Sequence, residues 1–180
     1  NINEVCKTEM WCFGDAGVEM MCGIIYARFM NRNNEQINVR IIYGKSFTVP
    51  VSQKRTIPQL ELNIASKIVE MSCDVKKMHD IQFDKIYFVT DSKVILEWIK
   101  NGAKKETIYV NRRLKTINEL TKSSQWHWIP SEFMPADYGT KEDSIPDISS
   151  DNKWFFPEIF RIPESDWTFE SNNSINVIDN

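Results

Sequence analysis

In Asp84-Lys85-Ile86-Tyr87-Phe88-Val89-Thr90-Asp91, Ile86 to Thr90 is an unbroken run of β-branched and aromatic residues that leads to a carboxylate. Such a run without polar alternation marks a strand covered on both faces, the kind found in parallel sheets between helices. Val94, Ile95, Trp98 and Ile99 follow at helical spacing, so the strand leads directly into a helix. Upstream, Thr56 reads as a helix N-cap with Pro58 near the first turn, and Leu60, Ile64, Ile68 and Met71 carry a helix through Met71. A helix followed by a covered strand and another helix requires a parallel neighbour for that strand elsewhere in the chain.

The first fifty residues supply it. Trp11-Cys12-Phe13-Gly14-Asp15 ends at a Gly/Ala/Gly break, Met20 to Phe29 is apolar, and alternation resumes from Ile37 to Tyr43 and towards Phe47 after the polar turn Asn31–Glu35. Short connections make these an antiparallel meander. Downstream, Tyr109 to Lys122 reads as a third helix, Trp126 to Ile129 as a short strand stopped by Pro130, and Ala136 to Thr140 as a short helical segment. The order β-β-β-α-β-α-α-β implies an α/β fold: a five-stranded mixed sheet, its first three strands antiparallel and its fourth and fifth parallel to the first, flanked by helices.

At 180 residues the chain suits one domain with an appendage. We divide it into a main domain over 1–142 and an acidic, aromatic-containing extension over 143–180 with a frayed end. Residues 141–180 carry nine acids against three bases, a balance of −6, so the −3 of the whole chain leaves +3 for the first 140 residues. The acidity is thereby confined largely to the tail, and the body suits a polyanion. No apolar run approaches the roughly 18 residues of a membrane span, and the first residues lack a secretory pattern. Cys6, Cys12, Cys22 and Cys73 match neither a zinc site nor a compact disulfide framework. Free thiols and a cytoplasmic setting, with no membrane, are the expectation.

Asp15 and Asp91 stand at the carboxyl ends of strands one and four, where ligands of open sheets bind. Glu61, in the first turn of the helix after the meander, and Asp137, after the last strand, can reach the same place. Taken singly, each has a structural reading: Asp91-Ser92 fits a helix cap, and Glu61 a favourable acid near a helix start. As a set they argue for a metal site, because clustered carboxylates repel unless cations replace their hydration. Oxygen-only ligands favour Mg²⁺ or Mn²⁺, and two such ions would clamp a scissile phosphate. Lys100, Lys104, Lys105, Arg112, Arg113 and Lys115 crowd the second and third helices, either as a solvated face or as a surface that tracks phosphates. Ser92 and Asn111 are the polar candidates for contact with the same polymer. His127 between Trp126 and Trp128 reads as structural, and the tail aromatics as packing onto the core or a neighbouring domain.

Phe13-Gly14-Asp15-Ala16-Gly17 with Gly23 resembles the opening of ribonuclease H-like domains. Ile57-Pro58-Gln59-Leu60-Glu61-Leu62, Val89-Thr90-Asp91-Ser92 with Trp98, Val110-Asn111-Arg112, and Ile129-Pro130-Ser131 through Pro135-Ala136-Asp137 resemble, in order and spacing, the signatures of the ribonuclease H domain of Bel/Pao-type LTR retrotransposons. Trp154 to Glu158 and Ile162 to Trp167 resemble the stretch that follows that domain. The resemblance implies a ribonuclease H-like fold and hydrolysis of the RNA strand of RNA–DNA hybrids during reverse transcription. It implies metal-ligand roles for Asp15, Glu61, Asp91 and Asp137, and a reverse transcriptase domain in the same polyprotein as partner, in the cytoplasm or a virus-like particle. Many cellular ribonucleases H carry a His before the last Asp; Ser131-Glu132-Phe133-Met134 has none. The competing reading is a catalytically silent or domesticated module on this fold that binds nucleic acid or a protein partner.

Overall fold

The computed structural model describes residues 5–50, 54–103, 107–141, 152–164, 167 and 170–171. Strands β1 (Lys7–Ala16), β2 (Met20–Met30) and β3 (Gln36–Thr48) form the expected antiparallel meander. Helix α1 (Ile57–Met78), strand β4 (Lys85–Thr90), helices α2 (Lys93–Asn101) and α3 (Ile108–Leu120) and strand β5 (Trp126–Trp128) follow in the order read from the sequence. The sheet order is β3-β2-β1-β4-β5, with β4 parallel to β1 and β5 parallel to β4. A sixth strand, β6 (Glu170–Ser171), adds antiparallel to the outer edge of β5. The sequence hides it because two residues carry no period. No helix among the described residues is long and apolar enough to cross a membrane.

One strand and one helix run further than their apolar pattern. β1 begins at Lys7 rather than Trp11 because Thr8 and Glu9 are buried by polar pairing rather than by hydrophobicity. Glu9 is 2% exposed and Arg28, across the strand pair, 4%. Arg28 Nη1 lies 3.2 Å from Glu9 Oε2, Lys7 Nζ lies 2.7 Å from Glu9 Oε1, and the Trp11 indole N–H donates to Glu9 at 3.1 Å. Buried charges survive when each is matched in this way. α1 continues to Met78 because Val75 extends the buried stripe and Lys76 and Lys77 suit a helix C-terminus.

Side-chain alternation gives the sheet two faces. On one, Met10, Cys12, Ile25 and Phe88 pack beneath Leu60, Ile64, Ile68 and Met71 of α1, joined by Ile95, Val110, Leu114 and Ile117 of α2 and α3. α1 comes close because the sheet is bare there: Gly14 and Gly23 are cross-strand partners. A Cβ on Gly14 would lie 3.2 Å from Ile64 and Ile68, and one on Gly23 2.9 Å from Ile68 Cγ2 and Met71 Sδ. The glycine pair is thus a saddle for one helix face.

The other face carries Trp11, Phe13, Tyr26, Val39 and Val89, covered by Ile129, Met134, Ile159 and Phe160 with Trp154, Phe156 and Trp167 alongside. The extension therefore packs onto the sheet. The Trp154 carbonyl accepts from the Tyr26 hydroxyl at 2.6 Å, and the Phe160 carbonyl accepts from Gln36 Nε2 at 3.1 Å. Glu164 pairs with Arg28 at 2.6 Å, while the Arg28 guanidinium sits 4.8 Å from the Trp167 ring centroid. Phe169 lies outside the described residues. None of the four cysteines is in a disulfide among the described residues, and Cys12 and Cys22 are buried. The boundary placed at 142/143 also lies outside the described residues.

The saddle predicts a contrast. Gly23→Ala is expected to cost about 1–3 kcal/mol through overpacking. Gly44→Ala, where the nearest atom to a new Cβ is Ile24 Cγ1 at 3.9 Å, is expected to be neutral or slightly stabilising. Urea unfolding midpoints at unchanged slope measure both.

Candidate active site

The register of the parallel pair places the first two acids. Phe13 pairs with Val89 at the end of the β1–β4 ladder, so Asp15 and Asp91 each lie two residues beyond the last pair, side by side. Asp15 shares the parity of Trp11 and Phe13, the face away from α1. Glu61 arrives from the opposite face. It is the fifth residue of α1, one position beyond the first turn in which the sequence reading placed it. It lies three residues before Ile64, on the stripe that meets the glycine saddle. Asp137 comes from the 3₁₀ turn Pro135–Gly139, which packs against β2 and β1. That turn depends on its glycine: a Cβ on Gly139 would stand 2.3 Å from Cys22 Sγ, and Cys22 is the β2 partner of Asp15.

All four carboxylates are half-buried at one end of the sheet, and each is held by a side chain from elsewhere in sequence or from the next turn. The Thr140 hydroxyl donates to Asp15 Oδ2 at 2.6 Å and lies 3.0 Å from the Asp137 carbonyl oxygen. The Ser131 hydroxyl donates to Asp91 Oδ2 at 2.7 Å, and the Trp128 indole N–H donates to the Asp91 carbonyl at 2.8 Å. The Ser92 hydroxyl stands near enough to the Glu61 carboxylate to favour its charged form. Lys141 Nζ forms an ion pair and hydrogen bond with Asp137 Oδ2. Three acids are thus held by neutral hydroxyls and the fourth by a cation.

The electrostatics show that these groups share one region. Burial pushes the Asp15 carboxyl up from its ordinary value, the Thr140 bond draws it down, and the charges of Asp91 and Asp137 raise it further. Burial likewise raises Glu61, opposed by the Ser92 bond and assisted by Asp91 and Asp15. The bond to Asp137, then the charges of Asp137 and Asp15, push Lys141 upward. Among the described residues no three His, Cys, Asp or Glu side chains meet the geometry of an ion site as they stand. Donor chemistry and charge do fit a hard divalent ion: every candidate ligand is a carboxylate, and mutual repulsion is what such an ion relieves.

The basic candidates divide. Lys104 and Lys105 lie outside the described residues. Asn111 and Arg112 are exposed on α3, and Ser92 is buried, its hydroxyl directed to Glu61. Arg113 is stacked 3.4 Å from the Tyr109 ring centroid, with its Nε donating to Asn63 Oδ1 at 2.8 Å. Arg55, absent from the sequence candidates, lies 3.6 Å from the same ring. Burial, then the neighbouring Arg55 charge, lowers Arg113, with Tyr109 and Glu70 opposing. The sequence reading also passed over Ser131, Thr140, Lys141 and Trp128 as holders of the carboxylates. Ser131 and Thr140 follow motif prolines and acids closely, but hydroxyls in loops carry no signal of what they face. His127 is lowered by burial and packs 5.4 Å from Tyr87, consistent with its structural reading.

One family model, described as Pao retrotransposon-like RNaseH-like domain, matches residues 1–92. No curated protein sequence matches the chain significantly. Among solved structures, ribonuclease H1 of the archaeon Halobacterium salinarum is similar at 14% identity, with 70% of this chain and 87% of that one covered and a TM-score of 0.42. LC11 ribonuclease H1 in complex with an RNA/DNA hybrid is similar at 14% identity, covering 73% and 91%, with a TM-score of 0.44. The N-terminal ribonuclease H domain of a Mycobacterium tuberculosis protein gives 13%, 69%, 83% and 0.39 in the same order.

The raised Asp15 fixes the sign of a pH effect. A carboxyl that holds its proton more tightly when folded stabilises the fold at low pH, and that contribution is lost as pH rises from 3.8 through the higher folded value. Without divalent ions, Asp15→Asn is expected to be more stable than the unsubstituted protein at pH 7, with the gain disappearing towards pH 4. Urea titrations across this range measure it. Added Mg²⁺ should narrow the difference at pH 7 by stabilising the unsubstituted protein more.

Proposed function

The chain belongs to the Pao retrotransposon-like RNaseH-like domain family, and on that premise we propose that it is a metal-dependent endonuclease that hydrolyses the RNA strand of RNA–DNA hybrids in the reverse transcription of a retroelement. The observation that carries the reading is that Asp15 and Glu61, brought from a strand end and a helix to one end of the sheet, are both raised by burial and by the charge of Asp91. An isolated turn-forming or capping acid would not feel a second carboxylate as Asp15 and Glu61 do. Ser92 caps α2 by position yet makes no side-chain cap bond, which weakens the purely structural reading of Asp91-Ser92.

Asp15, Glu61, Asp91 and Asp137 would hold Mg²⁺ or Mn²⁺, two ions in the full site. Bound there, such ions supply charge neutralisation at the scissile phosphate and a lowered pKa for the attacking water. The chain's own work is orientation. Thr140 and Ser131 each fix one oxygen of Asp15 and Asp91, and Trp128 fixes the backbone of Asp91. Ser92 serves Glu61 from the end of β4. Partners in this position are worth about 10–100-fold in affinity or rate.

For the duplex, Arg55 and Arg113 against Tyr109 offer two guanidiniums held stiffly beside α1 and α3, with Asn111 and Arg112 further along α3. Stacked guanidiniums lose little freedom on meeting phosphate. Lys104 and Lys105, between α2 and α3 in sequence, are further candidates for contact with phosphate.

The test is cleavage of a hybrid labelled on its RNA strand, in Mg²⁺ or Mn²⁺. RNA-strand cutting that falls at least about a hundredfold in Asp91→Asn supports the nuclease. Hybrid bound but uncut by the unsubstituted protein under either ion would instead establish the silent binding module. In the same assay Arg55→Ala and Arg113→Ala are each expected to weaken hybrid binding irrespective of sequence and to reduce the salt slope by about 1.

A further inference from the structure

The four holders of the carboxylates are not alike. Thr140, Ser131 and Ser92 orient Asp15, Asp91 and Glu61 through neutral hydroxyls, which leave the acids' charge to be balanced from outside. Lys141 both orients Asp137 and cancels its charge. Its side chain is 65% exposed and that of Asp137 36%, so the pair is open to water. An ammonium on a flexible four-carbon stem leaves such a site at little cost, because water solvates it well. The carboxylate end therefore has a part, formed by Asp15, Glu61 and Asp91, that meets hydroxyls, and a part at Asp137 paired directly with a cation whose charge also reaches Asp15.

We propose that Lys141 is the resident counter-cation of the Asp137 side of the site, which a divalent ion must displace, so that this second ion binds more weakly than the one held by Asp15, Glu61 and Asp91. The proposal rests on the metal-dependent reading above and adds an order of filling to it. Lys141 acts here as a positioning residue: it sets where Asp137 points before the second ion arrives and how tightly that ion is kept. A site built this way loads its second ion only where ion concentration or bound phosphate favours it.

The experiment is a Mn²⁺ titration of the full chain, with free Mn²⁺ read by electron paramagnetic resonance and folding checked by circular dichroism. The variants are Lys141→Gln, Lys141→Arg and Asp91→Asn. The unsubstituted protein is expected to show one tight and one weak class. Lys141→Gln should tighten the weak class by about threefold to fivefold, the effect of removing an exposed ion pair, and leave the tight class unmoved. Lys141→Arg should keep the original values, and Asp91→Asn should lose the tight class. A weak class unchanged in Lys141→Gln, or shifted equally in Lys141→Arg, overturns the role of Lys141 while the metal reading stands. Absence of Mn²⁺ binding by the unsubstituted protein overturns both.

Discussion

The close approach of α1 to the paired glycines of β1 and β2 is the contact on which the rest of the molecule depends. Ile64, Ile68 and Met71 fill the space that two side chains would otherwise occupy, and this fixes both the height and the rotation of the helix over the sheet. Glu61 is carried on the same stripe, so the packing that buries the core also aims a carboxylate past the end of the sheet. Core and site are set by one interface. A helix lifted by even a methyl group would keep its secondary structure and lose its aim, because interiors are packed too densely to absorb such a change silently.

The acids themselves come from four separate places in the chain: a strand end, a helix, a second strand end and a 3₁₀ turn. Parallel pairing of β1 and β4 brings two of them level. The other two approach from opposite faces. Hydroxyl bonds then tie these elements to one another, with Thr140 linking the last turn to β1 and Ser131 linking the segment after β5 to β4. Such a ring distributes the repulsion among the carboxylates over several anchor points, so that no single element has to resist it alone.

Much of this was legible in the residues. The covered run before Asp91 and the helical stripe from Leu60 to Met71 each state their period plainly, and the strand order follows from them. The positions of Asp15 and Asp91 could be read because strand ends are marked by a change of pattern. What could not be read was polar. Thr8 and Glu9 belong to β1, but their burial depends on Arg28 nineteen residues beyond Glu9, and no local window contains both. Thr140 and Lys141 look like ordinary loop residues until the fold brings Asp15 and Asp137 to them. Arg55 was missed because its partner, the Tyr109 ring, belongs to another helix. Hydrophobic periodicity records what a residue avoids; it does not record which distant group it meets.

The extension lies across the sheet on the side away from the helices, with Phe160 and Trp167 set edge-on against Trp11 and Glu164 bound to Arg28. This gives the molecule a blind side. Among the described residues, the sheet face around Trp11, Phe13 and Tyr26 is taken up by these aromatic groups, which leaves little of it for a flat partner. The extension's described residues do this with groups that are already committed to one another.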